Sequence, residues 1–180
     1  MPKYDCHKVE NSGIHSLLSN VSGTTLTFAV LYGQHELTID SKHRILVPAD
    51  VRRGLLPERD GAAFFILTGD NGRIWLYPEK IYEAMGADIR RSFSPGEDQL
   101  DFYHSHYSLA DRLEWDNQGR ILLPEMLLKE TETGKDVILS GAFDHLEIWN
   151  KDHWIAHRKY LREKRAEISL RAQQRSQVTG

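Results

Sequence analysis

The chain has 180 residues, enough for one ordinary domain or for two small units that share a core. Its formal charge of −3 combines an acidic body, −8 over residues 31–149, with a basic end, +5 over residues 150–180. The single cysteine excludes an internal disulfide, and the lack of a signal peptide or a long apolar run predicts a cytoplasmic protein that does not enter a membrane.

The first part of the chain predicts an unstructured segment and then four strands. Residues 1–29 are rich in Ser, Asn, Thr and Gly and have no sustained periodicity, which predicts a disordered extension. Alternating apolar and polar residues then predict strands at 34–40, 45–47, 63–68 and 73–77. Helices are expected after the second and fourth strands, where prolines stand, at Pro48 and Pro78. Val51, Leu55 and Leu56 can share the apolar face of the first helix.

The second part predicts the same order of elements. The segment Ser94-Pro-Gly96 is the best boundary, and a helix is expected at about 97–107. Four more strands are predicted at 109–115, 121–123, 136–141 and 145–149. Two more helices follow, one after Pro124 and one over about 151–172. The predicted units are an extension at 1–29, half-domains at 30–94 and 95–157, and a basic helix and tail at 158–180. Tight turns between consecutive strands indicate antiparallel pairing and an α+β class.

The chain also repeats itself. Asp-Ser-Lys-His-Arg-Ile-Leu-Val-Pro at residues 40–48 returns 76 residues later as Asp-Asn-Gln-Gly-Arg-Ile-Leu-Leu-Pro at 116–124. Ile-Leu-Thr-Gly at 66–69 and Ile-Trp-Leu-Tyr at 74–77 return after 72 residues as Ile-Leu-Ser-Gly and Leu-Glu-Ile-Trp. Similarity on this scale indicates two copies of one structural unit.

Each copy contains an Asp-x-x-x-Arg turn, with Asp40 and Arg44 in the first and Asp116 and Arg120 in the second. In a purely structural role, each aspartate caps backbone N–H groups of its turn and pairs with its arginine. Alternatively, an arginine at the tip of a hairpin can reach phosphate oxygens or guanine edges with its planar fork. Both roles are open at this point.

Basic residues cluster around the first of these turns. The densest basic stretch of the acidic body contains Lys42, Arg44, Arg52 and Arg53. The second copy has Gln118 where the first has Lys42, so the two turns differ in charge. We therefore expect Lys42 and Arg44 to contribute more than Arg120 to any contact with a polyanion.

The sequence predicts no catalytic, metal or cofactor site. It lacks a Gly-rich phosphate loop, a nucleophile elbow, a Cys–His arrangement and a cysteine pair for zinc. Two histidine pairs are better explained by solvated helix faces than by metal binding, His104/His106 and His153/His157. Core packing is the better explanation for four aromatic residues, Trp75, Tyr77, Trp149 and Trp154. We expect neither an enzyme nor a small-molecule substrate.

These residues resemble the MraZ family of bacterial transcriptional regulators. The resemblance covers about residues 30–157, and its most specific segments are 37–42 with Arg44, 75–78, 114–124 and 146–149. It implies two tandem β-β-α-β-β-α half-domains of the AbrB/SpoVT type, which form a pseudo-two-fold, swapped-hairpin AbrB-like barrel.

The resemblance also implies a function. MraZ-like proteins assemble into homo-oligomeric rings, bind direct repeats of double-stranded DNA in the promoter of the division and cell-wall gene cluster, and associate with the nucleoid. The implied DNA contacts are Lys42, Arg44 and Arg52, joined by Arg53 and Arg120, while Asp40 and Asp116 shape the turns. The alternative is an antitoxin-like AbrB-fold protein that holds a partner protein through a disordered tail.

Three features depart from the family pattern. His43 stands where the family usually has glycine, which costs conformational energy if the position needs a positive φ. Leu128 stands where the second copy often has arginine, which weakens a DNA role for the second half. Residues 1–29 have no family counterpart, and Val30 aligns with the usual first residue. We expect this extension to be dispensable, unless Leu26 and Phe28 extend the first strand.

Overall fold

The computed structural model describes residues 16–21, 24–69, 72–92, 100–101, 103–104 and 107–178. Its strands are β1 (Ser16–Val21), β2 (Thr24–Ala29), β3 (Gln34–Thr38), β4 (Arg44–Leu46), β5 (Phe64–Thr68), β6 (Ile74–Pro78), β7 (Asp111–Leu113), β8 (Arg120–Leu122), β9 (Asp136–Gly141) and β10 (Leu146–Asn150). Its helices are α1 (Ala49–Gly54), α2 (Pro57–Asp60), α3 (Glu79–Ser92), α4 (Glu125–Glu130) and α5 (Lys151–Val178).

Two copies of one element order follow each other from β3 onward. The elements β3, β4, α1, β5, β6 and α3 correspond to β7, β8, α4, β9, β10 and α5, as the sequence predicts. The single-turn helix α2 belongs to the first copy and was not predicted. In the helix expected at 97–107, residues 100–101, 103–104 and 107 are helical, and the rest lie outside the described residues.

Six strands form one antiparallel sheet in the order β3-β9-β10-β6-β5-β7, while β4 pairs with β8 and β1 with β2 in separate ribbons. The first strand of each half thus pairs with a strand of the other half, since β3 lies beside β9 and β7 beside β5. The α+β class is confirmed. The described strands close no barrel, however, because β4 and β8 pair with each other and leave β3 and β7 as the edges of the sheet.

A pseudo-two-fold axis relates the two copies. In the large sheet, β6 and β10 pair around a central Trp75–Glu147 pair, and in ribbon β4–β8 the central pair is Ile45–Ile121. Both pairs join positions that correspond in the two copies. The sequence repeat is therefore an internal two-fold, and each strand of ribbon β4–β8 comes from a different copy.

One face of ribbon β4–β8 is fixed to the core. Ile45 and Val47, with their counterparts Ile121 and Leu123, are no more than 2% exposed and belong to the main hydrophobic cluster. Burial of one such side chain stabilises a fold by roughly 1.5–3 kcal/mol. This packing sets the position of both Asp-x-x-x-Arg turns, because the ribbon strands begin at their arginines.

The hairpin β1–β2 covers residues for which the composition predicts disorder, while residues 1–15 lie outside the described part. Ala29 is 1% exposed, and its N–H donates to Oδ1 of the buried Asp60 at 3.1 Å. The rings of Phe28 and Phe143 meet edge to face with their centres 5.6 Å apart. The structure differs from the predicted disorder because the end of β2 has partners in the body.

A basic side chain lies against an aromatic ring at corresponding positions on the two sides of the axis. Arg73 Cζ lies 3.8 Å from the centre of the Trp149 ring. At the corresponding positions, the His145 ring stacks on Tyr77 with a centre-to-centre distance of 4.7 Å. Tyr77 and Trp149 are buried, as the sequence predicts, while Trp75 and Trp154 are only partly buried.

Two carboxylates flank the ring of His145. Its Nδ1 lies 2.7 Å from Asp144 Oδ1, and its Nε2 lies 3.7 Å from Glu147 Oε1. Burial alone would lower the pKa of His145, but the two carboxylates outweigh burial and raise the pKa to about 9. The His145 ring therefore packs on Tyr77 at the position that corresponds to the Arg73 guanidinium on Trp149.

Two further expectations are corrected at helix ends. Leu56 is 48% exposed and does not share an apolar face with Val51 and Leu55. The reason is that α1 ends at Gly54 and α2 begins at Pro57, so Leu56 lies in extended backbone between them. Helix α5 continues to Val178, beyond the end predicted near residue 172.

Candidate nucleic-acid interface

The first Asp-x-x-x-Arg turn is organised by its aspartate. Asp40 Oδ1 accepts hydrogen bonds from the backbone N–H groups of Lys42 at 2.8 Å and Arg44 at 2.9 Å. Its Oδ2 accepts Arg44 Nε at 2.8 Å and lies 2.7 Å from Nη2. The hydrogen bond from the Arg44 side chain is the main reason that the pKa of Asp40 falls to about 2. The carboxylate is thus ionised throughout the physiological pH range, and it orients the guanidinium.

The second turn repeats this geometry. Asp116 Oδ1 accepts the N–H groups of Gln118 at 2.9 Å and Arg120 at 3.0 Å. Oδ2 accepts Arg120 Nε at 2.9 Å and Nη2 at 2.7 Å. The hydrogen bond from the Arg120 side chain lowers the pKa of Asp116 to about 2 as well. Each aspartate therefore holds its own turn and its own arginine.

Both arginines lie on the outer face of ribbon β4–β8. Arg44 pairs across the ribbon with Leu122, and Leu46 pairs with Arg120. Successive side chains of a strand point to opposite faces, and the residues between these four are buried. The arginine side chains are 29% and 25% exposed, and the leucines are 46% and 59% exposed. The outer face thus presents two guanidinium groups and two apolar side chains.

Arg52 lies beside the second turn, although it belongs to the first copy. Its Nε donates to the carbonyl of Val47 at 3.0 Å, and its guanidinium covers Gly119. A Cβ atom at position 119 would come within 2.6 Å of Arg52 Cζ. Gly119 has a φ of 78°, in the left-handed region that favours glycine.

The corresponding pair on the other side of the axis is His43 and Leu128. His43 has a φ of 58°, so this position does require a positive φ, as the comparison with the family pattern anticipated. Leu128 and His43 line the same cleft of about 460 Å³, together with Glu125 and Lys129. The first turn thus combines a histidine at position 43 with a leucine at position 128. The second turn combines a glycine at position 119 with an arginine at position 52. His43 and Leu128, which lie in different copies, are therefore neighbours in space.

Strand pairing between the copies changes which side chains lie near each turn. The sequence placed Arg52 with Arg44, and Leu128 with Arg120. The structure places Arg52 beside the second turn and Leu128 beside the first, because the ribbon strands come from different copies. Lys42 is exposed in the first turn. The second turn thus has Arg52 nearby, while the first turn carries Lys42 and shares its cleft with Lys129 and Lys135, so the expected dominance of Arg44 over Arg120 stays a prediction.

The remaining candidates occupy simpler positions. Arg53 is exposed in the last turn of α1, which follows the ribbon directly. Leu46 and Leu122 were not singled out from the sequence. Their signal was the repeated Arg-Ile-Leu, in which alternation puts the leucine on the same face as the arginine.

The histidine pairs form no metal site in the described part of the chain. No group of three or more His, Cys, Asp or Glu side chains there is placed to hold a metal ion. The His157 ring stacks on Trp149 with centres 4.6 Å apart, so it serves packing. His106 lies outside the described residues. Among the helices that the structure describes, none is both long enough and apolar enough to span a bilayer.

Comparison with known proteins gives one family. The model of a family described as "MraZ protein, putative antitoxin-like" matches the chain twice, over residues 30–101 and 107–178. These two matches coincide with the two structural copies. The two-unit organisation is thus supported by the repeat, the internal axis and the family match.

Curated relatives match over most of their length. A protein named transcriptional regulator MraZ from Lactiplantibacillus plantarum is 30% identical over 69% of this chain and 85% of its own. Proteins of the same name from Pelotomaculum thermopropionicum and Neisseria meningitidis are each 33% identical. They cover 68% and 69% of this chain and 81% and 82% of their own.

Proposed function

This chain belongs to the MraZ family, and we propose that it is a transcriptional regulator that binds double-stranded DNA with the outer face of ribbon β4–β8. The main support is that Arg44 and Arg120, each oriented by an aspartate, lie on one face of one antiparallel ribbon. The proposal rests further on the names of the relatives, which are transcriptional regulators.

The ribbon has suitable dimensions for this role. The major groove of B-DNA, about 12 Å wide, admits a two-stranded β-ribbon. An arginine can bind O6 and N7 of guanine at once, and Arg44 and Arg120 are the candidates for such contacts. Lys42 and Arg53 are exposed beside the ribbon and are suited to phosphate oxygens. Arg52 is bound to the Val47 carbonyl and covers Gly119, so its role is to support the second turn.

We infer that the operator consists of direct repeats in the promoter of the division and cell-wall gene cluster, and that the protein acts in the cytoplasm at the nucleoid. One ribbon in an acidic body supplies few cations, so several copies in a ring would bind several repeats together. We also relate the exchange of β3 and β7 between the halves to swapped-hairpin folds of the AbrB type. Light scattering that shows a monomer at micromolar concentration would contradict the ring.

A gel-shift titration tests DNA binding. We expect the wild type to retard its own upstream DNA with an affinity that falls steeply as salt rises. Arg44→Ala and Arg120→Ala should each cost roughly 1–3 kcal/mol of binding free energy, with the larger loss for Arg44→Ala because its turn carries the exposed Lys42 where the second turn has Gln118. Lys80→Ala is the control, since it removes an exposed positive charge on α3, where Lys80 donates to the Glu58 carbonyl of α2 and not to the ribbon. If both arginine variants bind like this control, the ribbon is not the DNA contact.

The antitoxin-like alternative is tested with the same protein. It would hold a partner protein, and the family description is the observation in its favour. The basic end, however, is helical to Val178 and does not match the disordered tail that this alternative supposed. A stable stoichiometric partner in native purification, without retardation of upstream DNA, would favour the antitoxin-like role.

A further inference from the structure

We propose that Leu46 and Leu122 contact the 5-methyl groups of thymine and thereby contribute to the choice of operator. This inference rests on the proposed DNA binding by ribbon β4–β8. It adds a second kind of contact, apolar instead of hydrogen-bonded, at defined positions next to the arginines.

The two leucines are unusual for their position. On the inner face of the ribbon, Ile45 and Ile121 are only 2% and 0% exposed and pack into the hydrophobic core. The opposite face carries Leu46 and Leu122 at 46% and 59% exposure. A single exposed leucine needs no explanation. Here, both copies place leucine at the corresponding exposed position, and neither leucine belongs to a hydrophobic cluster of the described residues.

Each leucine also lies directly opposite one of the two arginines that we propose to contact bases. Leu122 is the cross-strand neighbour of Arg44, and Leu46 is the neighbour of Arg120. Directly opposite residues in an antiparallel pair have Cβ atoms about 4.5–5.5 Å apart. When an arginine reaches a guanine edge in the major groove, its neighbour therefore faces an adjacent base pair. In that groove, thymine is the base that presents a methyl group, and apolar side chains contact it.

The alternative occupant of this face is a second copy of the chain. Arg44 and Arg120 are already paired with their aspartates, but such a contact would also bring together Lys42 and Arg53, the exposed cations beside the ribbon, from both copies. Like charges in a desolvated contact repel, whereas a nucleic acid supplies the opposite charge. The exposed Lys42 and Arg53, beside a face on which arginine and leucine alternate, thus favour DNA over a second copy of the chain.

Uracil substitution isolates the thymine methyl group, because deoxyuridine pairs like thymidine but lacks that group. A duplex that contains the footprinted site is prepared with thymine or with uracil at each protected position. For the wild type, each contacted position should lose about three- to five-fold in affinity on substitution, the value of one buried methyl group. The Leu46→Ala/Leu122→Ala variant should bind the thymine and uracil duplexes equally well.

Leu109→Ala is the matched control. Leu109 is 46% exposed, like Leu46, but lies before β7 and away from the ribbon, so this variant should keep the preference for thymine. Equal binding of both duplexes by the wild type overturns the methyl contact, while retardation of both still supports DNA binding. Loss of oligomer mass in light scattering of the double leucine variant also overturns it, by showing a contact between copies. Wild type that retards neither duplex overturns this inference together with the proposed function.

Discussion

Replacement of Gly119 by alanine should destabilise the protein, and the size of the loss should depend on Arg52. The new Cβ would lie 2.6 Å from both Cζ and Nε of Arg52 and 3.1 Å from Cδ. Since such distances are far inside van der Waals contact, the Arg52 side chain has to leave its place over the turn. The backbone at position 119, with φ at 78°, would also have to hold a residue that disfavours this region.

The expected magnitude has two parts. An L-residue in the left-handed region costs about 1–2 kcal/mol. Displacement of Arg52 removes the hydrogen bond from its Nε to the Val47 carbonyl, worth roughly 1–2 kcal/mol for a charged donor in a half-buried place. Gly119→Ala should therefore lower the free energy of unfolding by about 2–4 kcal/mol. In an Arg52→Leu background there is no guanidinium to displace, and the loss should shrink to about 1–2 kcal/mol.

Urea unfolding of four proteins measures this dependence: the wild type, Gly119→Ala, Arg52→Leu and the double variant. All four are compared at one protein concentration, because assembly contributes to apparent stability. The interaction free energy of the cycle should be about 1–2 kcal/mol. His43→Gly serves as the reference on the other side of the axis, where no arginine covers the turn, and should change stability by less than about 1 kcal/mol. If the two single losses add within about 0.5 kcal/mol, the reasoning about Arg52 is refuted.

Three further outcomes follow from other contacts. Because the pKa of His145 is raised from 6.5 to about 9, its stabilising contribution is complete below pH 6.5 and is lost as pH rises through 9; His145→Gln should abolish this part of the pH dependence in fluorescence-detected unfolding. A chain that begins at residue 30 should be about 1–3 kcal/mol less stable in urea than one that begins at residue 24, since it lacks the Ala29 N–H bound to Asp60; equal midpoints would contradict this. Ile45→Ala and Ile121→Ala should each cost about 2–5 kcal/mol, and by similar amounts, in the same assay.

Local patterns predicted most of the secondary structure. Strand β9 has the predicted bounds, and the other strands from β3 onward overlap their predictions, because alternation and turn residues act within a few positions. The errors have local causes as well. Leu56 fits a helical spacing, but Pro57 begins a new helix instead of extending α1. The β1–β2 hairpin was missed because its support comes from Asp60 and Phe143, which lie far along the chain.

The candidate site was predictable in its residues but not in its neighbours. The repeat identified both aspartates and both arginines, because the turn that joins them spans only five residues. Which side chains approach each turn depends on strand pairing between the copies, and no spacing in the sequence reveals it. Arg52 was therefore assigned to the first turn, although its guanidinium covers Gly119 of the second turn.

The same pairing explains why His43 and Leu128 looked unrelated in the sequence. They are 85 positions apart and belong to different copies. Two backbone hydrogen bonds of 2.9 Å nevertheless attach each turn to the strand of the other copy. The Leu123 N–H donates to the His43 carbonyl, and the Val47 N–H donates to the Gly119 carbonyl. Leucine at the facing helix position is compatible with a side chain at the turn, whereas Arg52 lies where a side chain at position 119 would be. One steric relation thus links positions 43 and 128. It also implies that the first turn, with its own His43, retains the geometry of Asp40 and Arg44 that the proposed DNA contact needs.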